Sequence, residues 1–140
     1  MTEGPIVLAD HGDVAGSGGS TDVPVVLAEV LRQDLSDVCA GPFWDPETVE
    51  QMISAGEGAE VSIMLGGKVD FPNIGVQGMP LPLTGTVKAI TDGSFVVTAP
   101  KNTGLRISLG KTAVLAVGDV DIVISSKRHE PFDLGVFTHA

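Results

Sequence analysis

Four apolar runs crowd the second half of this 140-residue chain: LTGTVKAIT (83–91), GSFVVTAP (93–100), TAVLAVG (112–118) and VDIVISS (120–126). They are separated only by TDG, by a stretch around PKNTG and by GDV. Runs this short, rich in β-branched residues and punctuated by Gly and Asp, form strands joined by tight turns. They predict a β-meander or small antiparallel sheet over 84–126. No all-helical fold can hold this half.

The first half has a different rhythm. PIVLAD (5–10) is an apolar run of β-formers and reads as a buried strand. VPVVLAEVLRQDL (23–35) places Val23, Leu27, Val30 and Leu31 on one helical face, with Thr21 or Asp22 as cap and Pro24 in its first turn. DVCAGPFW (37–44) reads as a second strand. In DPETVEQMISAGEG (45–58), Asp45 caps a helix, Pro46 takes its first position, Val49, Met52 and Ile53 form the inner stripe, and Gly56 ends it. AEVSIML (59–65) alternates through Val61, Ile63 and Leu65 as a third strand, turned by LGGK (65–68). The fold class is therefore α/β (α+β): a βαβαβ half over 1–68, a Pro- and Gly-containing ordered loop over 69–83, the meander over 84–126 and a tail over 127–140 without a closing helix. One domain with one core suits the length.

Composition narrows the functions. Eight Lys and Arg against eighteen Asp and Glu leave a net charge of −10, which excludes nucleic acid and disfavours an anionic membrane surface. Aromatic residues are 4% of the chain, too few for stacking-based recognition of bases or sugars. The single cysteine, Cys39, permits no internal disulfide and reads as a small buried residue in a reducing, cytoplasmic compartment. No segment has the apolar length to span a membrane, and the N-terminus does not resemble an export signal.

LADHGDVAGSGGSTD (8–22) is the segment most able to carry chemistry. A strand, a glycine-rich turn and a helix start can cradle phosphate, but GSGGS is neither G-x-G-x-x-G nor a Walker loop, and Asp10 and Asp13 would repel an anion. Asp10, His11 and Asp13 could ligate a metal, yet adjacent positions on a strand end face opposite ways, and His129 and His139 are distant in sequence. The third reading is a bend in which carboxylates tie up loop amides and glycines supply positive φ. A serine nucleophile at Ser17 or Ser20 lacks the G-x-S-x-G elbow. SSKRH (125–129) gathers Lys127, Arg128 and His129, either as a carboxylate anchor or as a solvated strand end. Lys68 stands in a turn from which it can reach a ligand.

Taken together, these motifs resemble the C-terminal domain of the microcystinase-C-like (MlrC) metallopeptidases. Asp10, Asp13, Gly16, Gly18 and Asp22 match its D-x-x-D-N-x-G-G-G opening and the aspartate after it, although Val14 replaces the family's Asn and Ser17 its middle Gly. Gly66, Gly67, Lys68 and Asp70 match L-G-G-K-x-D, and Ser126, Lys127 and Arg128 match S-[RK]-R. The resemblance covers nearly all of 1–140 and implies a piece of a longer architecture, with the tail truncated relative to the family. It implies zinc held by an N-terminal domain, and none in this chain. It implies a metal-activated water attacking an amide carbonyl in the complete enzyme. This chain would then be an accessory, substrate-side domain lining the inter-domain cleft, with no catalytic or metal-ligating residue of its own.

The substrate-binding candidates are Asp10, Asp13, Gly16, Ser17, Gly18, Lys68, Ser126, Lys127 and Arg128. Asp10 and Asp13 would organise the loop or back the metal ligands, Gly16 and Gly18 would allow close backbone approach, and Lys127 and Arg128 would anchor a carboxylate. The expected partners are the N-terminal metal-binding domain or a second copy of this chain, and a small peptide or amide. The alternative is a stand-alone binding or interaction module that keeps the fold without the chemistry, a reading that Val14 and Ser17 favour; a small-anion-binding domain is a third.

Overall fold

The computed structural model describes residues 4–138. Its elements are helix α1 (Val25–Arg32), strand β1 (Val38–Trp44), helix α2 (Pro46–Ala55), strands β2 (Glu60–Leu65), β3 (Leu81–Thr91), β4 (Ser94–Val96), β5 (Arg106–Ser108), β6 (Thr112–Val117) and β7 (Val120–Ser125), and helix α3 (Gly135–Thr138). The architecture is mixed α/β, as expected. A five-stranded sheet runs in the order β1-β7-β6-β3-β2; β1 and β7 are parallel and the other neighbours antiparallel.

The apolar pattern explains the layers. β2 alternates exposed and buried, with Val61, Ile63 and Leu65 inward, because one of its faces meets solvent. β6 and β7 are central, and Thr112–Leu115 and Ile122–Ser125 are buried without alternation. α2 lays Val49 and Met52, both fully buried, into the core beside Leu27, Leu65, Val87, Leu115, Ile122 and Ile124.

The meander divides in two. β4 and β5 leave the main sheet and pair only with each other, Phe95 opposite Ile107. Gly93 and Gly110, both at positive φ, form the corners, and the Leu109 amide donates to the Gly93 carbonyl across them. This hairpin packs on α3 through Phe95, Val97, Leu109 and Val136, a second small core. The tail therefore does close with a helix, contrary to expectation. Asp133 accepts the amides of Thr98, Ala99 and Gly135 and so pins α3 to the hairpin.

Three further expectations are corrected. PIVLAD pairs with no strand: Ile6, Val7 and Leu8 are each at least 80% exposed. β-propensity cannot form a strand where no edge is placed alongside to share hydrogen bonds. The first helix begins only at Val25 and Pro24 is its cap residue; Thr21 turns its hydroxyl to the Ser20 carbonyl, no side chain caps the helix, and Val23 is partly exposed. Cys39 is exposed, standing opposite Asp121 of β7. Crowding by its neighbours and the negative charge of Asp121 push its thiol up, away from the reactive thiolate.

Candidate functional site

Asp13 builds the glycine loop. One carboxylate oxygen accepts from the Ser20 hydroxyl at 3.1 Å and the Thr21 amide at 2.7 Å; the other accepts from the Val23 amide at 2.8 Å. Between these anchors Ala15–Ser17 form a single 3-10 turn, closed by the amides of Ser17 and Gly19 on the Val14 carbonyl and of Gly18 on Ala15. Gly18 ends the turn at φ 86°, where a Cβ would be strained. The amides of Gly12, Ser17, Gly18, Gly19, Thr21 and Val23 are bonded within the segment, three of them to the carboxylates of Asp10 and Asp13, the arrangement of the third reading, a bend tied by carboxylate.

The same hydrogen bonds bear on metal binding. Both oxygens of Asp13 are occupied by donors, and Asp10 accepts the Gly12 amide at 2.7 Å in an exposed turn. His11 is exposed, and His129 lies in the far segment with its Nδ1 at 2.8 Å from the Glu130 carbonyl. His139 lies outside the described residues. Among the described residues no three His, Cys, Asp or Glu side chains converge on a metal position. The donor set here does not fit zinc.

A second carboxylate, Asp45, ties the two edges of the sheet together. It leaves the end of β1 and is almost wholly buried. It caps α2 through the Thr48 amide and hydroxyl, accepts the Gly66 amide at 2.9 Å from the turn after β2, and pairs with Lys68 Nζ at 3.0 Å. Lys68 also reaches Glu47 at 3.1 Å and Thr48 Oγ1 at 3.2 Å. Lys68 is thereby a brace within the protein, engaged on three sides.

The turn that carries Lys68 meets the glycine loop. The Gly67 amide donates to the Asp22 carbonyl at 2.7 Å, and the Trp44 amide to the Thr21 carbonyl at 2.7 Å. Gly66 and Gly67 lie at φ 56° and 54°; a Cβ on Gly66 would run into the Asp22 carbonyl. Asp22 itself is 3% exposed.

The Ser126–Arg128 segment closes the arrangement. Ser126 and Lys127 are fixed by their amides on the Lys111 and Leu109 carbonyls, which leaves the Lys127 side chain exposed. Arg128 donates from Nε to the Ser20 carbonyl at 2.9 Å, and its guanidinium lies 3.7 Å from the centre of the Trp44 ring. Gly16 faces Glu130, whose carboxylate fills the space that a Cβ would take. Gly18 faces open space and Ser17 is exposed.

Of the residues singled out in the sequence, Asp13, Gly16, Ser17, Gly18 and Arg128 thus meet around one loop. Asp10 lies beside it in the chain, its carboxylate on the Gly12 amide. Lys68 joins through Asp45 and Gly67. Ser126 and Lys127 support Arg128 from the strand end. Sequence reasoning missed Trp44 as the platform for Arg128, Glu130 as the neighbour of Gly16, and Asp45 as more than a helix cap. Trp44 is the one tryptophan in the chain, which could have marked it.

A family model of the MlrC C-terminus matches residues 8–140. The chain is 30% identical over 133 residues to Microcystinase C of Sphingomonas sp., a match that takes in 95% of this chain and 25% of that protein. Its fold is similar to the crystal structure of a "Putative metallopeptidase" from Mesorhizobium sp. BNC1, with TM-score 0.73 and 25% identity over 86% of this chain and 23% of that one. The chain therefore spans about a quarter of the length of these relatives. Matched by the family model over residues 8–140, nearly its whole length, this chain belongs to the MlrC C-terminal domain family.

Proposed function

We propose that this domain is the accessory, substrate-side part of a zinc-dependent amide or peptide hydrolase, with the Asp13 loop and the Arg128 segment lining a cleft shared with a metal-carrying N-terminal domain. The observation that carries this reading is the meeting of the two family motifs, 108 residues apart, at the Arg128–Ser20 hydrogen bond. A guanidinium held by a carbonyl and stacked on an indole keeps the rest of its donor fork pointed outward, which suits a carboxylate or an amide carbonyl. Zinc, when bound by the other domain, supplies the Lewis acid. This chain's own residues hold and orient: Asp13 shapes the wall, Arg128 offers charge, and Lys68 keeps Asp45 neutralised behind it. A cytoplasmic location belongs to the same reading and rests on the single free cysteine.

The test has two arms. Equilibrium dialysis of the chain against zinc should leave less than stoichiometric metal; one tightly held zinc per chain would overturn the reading. In the second arm this chain replaces the matching quarter of Microcystinase C. The chimera should hydrolyse peptide in a zinc-dependent manner, and Arg128→Ala should lower kcat/KM about tenfold, the loss of one charge-assisted contact. A chimera whose turnover ignores both Arg128→Ala and Asp13→Ala would show that this surface does not face the substrate.

A further inference from the structure

Of the two glycines expected to let a ligand approach the backbone closely, one is open and one is taken. Gly18 sits at positive φ and faces open space. Gly16 lies in the middle of the 3-10 turn, outside the positive-φ region, so its conformation does not call for glycine. What it provides is room. A Cβ there would run into the carboxylate of Glu130, and that carboxylate fills the room over the Gly16 Cα.

Glu130 is brought there by the segment that carries Arg128. Arg128 donates to the Ser20 carbonyl at 2.9 Å and Glu130 covers Gly16, so both side chains meet the same loop. His129, between them, meets Phe132 instead, with ring centres 5.3 Å apart. This is the alternation of an extended segment. The backbone of Glu130 is held: its carbonyl accepts the Phe132 amide at 3.0 Å and lies 2.8 Å from His129 Nδ1. Its side chain is exposed. A carboxylate oxygen over a Cα–H is a weak contact. Rotation about the Glu130 side-chain bonds lifts it off Gly16 and leaves the backbone bonds intact.

We propose that Glu130 is a displaceable plug: in the free protein its carboxylate occupies the room over Gly16 that a ligand's carboxylate takes when it binds between the glycine loop and Arg128. The inference rests on the substrate-side reading above and adds to it an autoinhibitory contact within the chain. Glu130 opposes such a ligand twice, by filling the space and by its like charge. A ligand that expels the side chain gains both Arg128 and the uncovered Gly16 backbone.

The probe is an acetylated dipeptide with a free C-terminal carboxylate. It is titrated into the intact 140-residue chain and its variants and followed by amide and arginine side-chain NMR. Glu130→Ala should bind it about tenfold more tightly than the wild type, the effect of removing one competing like charge at close range. Glu130 is exposed, so the fold should be indifferent. Before any peptide is added, Glu130→Ala should already move the Gly16 and Ser17 resonances. Gly16→Ala added to Glu130→Ala should cancel the gain, because its Cβ fills the vacated room. Equal or weaker binding by Glu130→Ala, with Arg128 still shifting, would overturn the plug and leave the substrate-side reading intact. Unmoved Gly16 and Ser17 resonances in peptide-free Glu130→Ala would overturn it as well. A gain that survives Gly16→Ala would mean that Glu130 acts through charge alone, and the plug falls. Absence of any shift at Arg128 and the glycine loop in every variant would overturn the substrate-side reading and the plug with it.

Discussion

Asp45 and Asp13 are both aspartates that gather donors from distant parts of the chain, yet they are built for different ends. Asp45 is sealed in, its four partners include a lysine, and what it joins is scaffold: β1, α2 and the turn after β2. Asp13 is half exposed, has three neutral donors, and what it shapes is a loop whose outer residues, Ser17 and Gly18, face solvent. A carboxylate that only stabilises is best buried with its counter-charge. A carboxylate that holds a surface in shape for a ligand has to stay near water, at a lower yield per hydrogen bond. Asp45 and Asp13 look alike as letters, and substitution tells them apart.

The largest effect should come from Asp45. Asp45→Ala removes a helix cap, the bond to Gly66 and the partner of Lys68, and should cost about 3 kcal/mol, the loss for a buried, hydrogen-bonded charge whose partner can still reach water. Urea unfolding measures it. Asp45→Asn keeps the size and an acceptor and should cost less than half as much. If Asp45→Ala unfolds at the wild-type midpoint, Asp45 is no fastener and the contrast with Asp13 collapses.

Asp13→Ala should cost about 1–2 kcal/mol, since water can replace part of what is lost. Its local effect should exceed its global one. Amide exchange at Thr21 and Val23 should accelerate well beyond the change at core strands such as β6, because these two amides lose their acceptor. Uniform acceleration throughout the molecule would mean that Asp13 is a fastener after all, like Asp45.

Asp133 offers a third case, confined to the small core. The amides of Gly135 and Ala99 hold its carboxyl below the ordinary aspartate value, with Thr98 contributing and burial opposing. A carboxyl lowered in the folded state stabilises above its unfolded pKa, about 3.9, and that stabilisation disappears as the pH falls through the folded value. Acidification below about pH 4 should therefore release α3 from the β4–β5 hairpin before the main sheet opens. Phe95 and Val136 resonances should move while those of Ile122 and Leu115 hold. Asp133→Asn should remove the pH dependence of that step.

The parts of the molecule legible in the sequence are those set by neighbours in the chain. The alternation of Val61, Ile63 and Leu65 and the Asp-Pro start of α2 needed only short-range rules. A carboxylate that ties up loop amides is one of the three readings that LADHGDVAGSGGSTD leaves open, and Asp13 does this with the amides of Thr21 and Val23. What stayed hidden depends on partners far away. Lys68 stands 23 residues from Asp45, and nothing in LGGK tells whether its ammonium meets a ligand or a buried carboxylate. PIVLAD has the composition of a strand but no edge to join, a property of the sheet order and not of the segment. The tail looked unfinished because Asp133 and Val136 find their partners in the β4–β5 hairpin, more than thirty residues back.

Arg128→Ala should have the smallest effect on stability and the largest on the surface. An exposed cation over an indole contributes under about 1 kcal/mol, so the unfolding midpoint should barely move. The emission of Trp44, the sole tryptophan, should nevertheless change, because its ring loses the guanidinium stacked at 3.7 Å. Arg128→Lys tests whether charge alone suffices. A lysine can place an ammonium over the ring but lacks the planar fork that grips the Ser20 carbonyl and presents further donors. If Lys restores the fluorescence but not binding of a carboxylate-terminated peptide, Arg128 belongs with Asp13, among groups held in shape for something outside the protein. If Lys restores both, the fork is irrelevant and only charge is read. If Arg128→Ala lowers stability as much as Asp45→Ala, the arginine is scaffold, and the division between the two aspartates no longer extends to the residue that bridges the loop and the strand end.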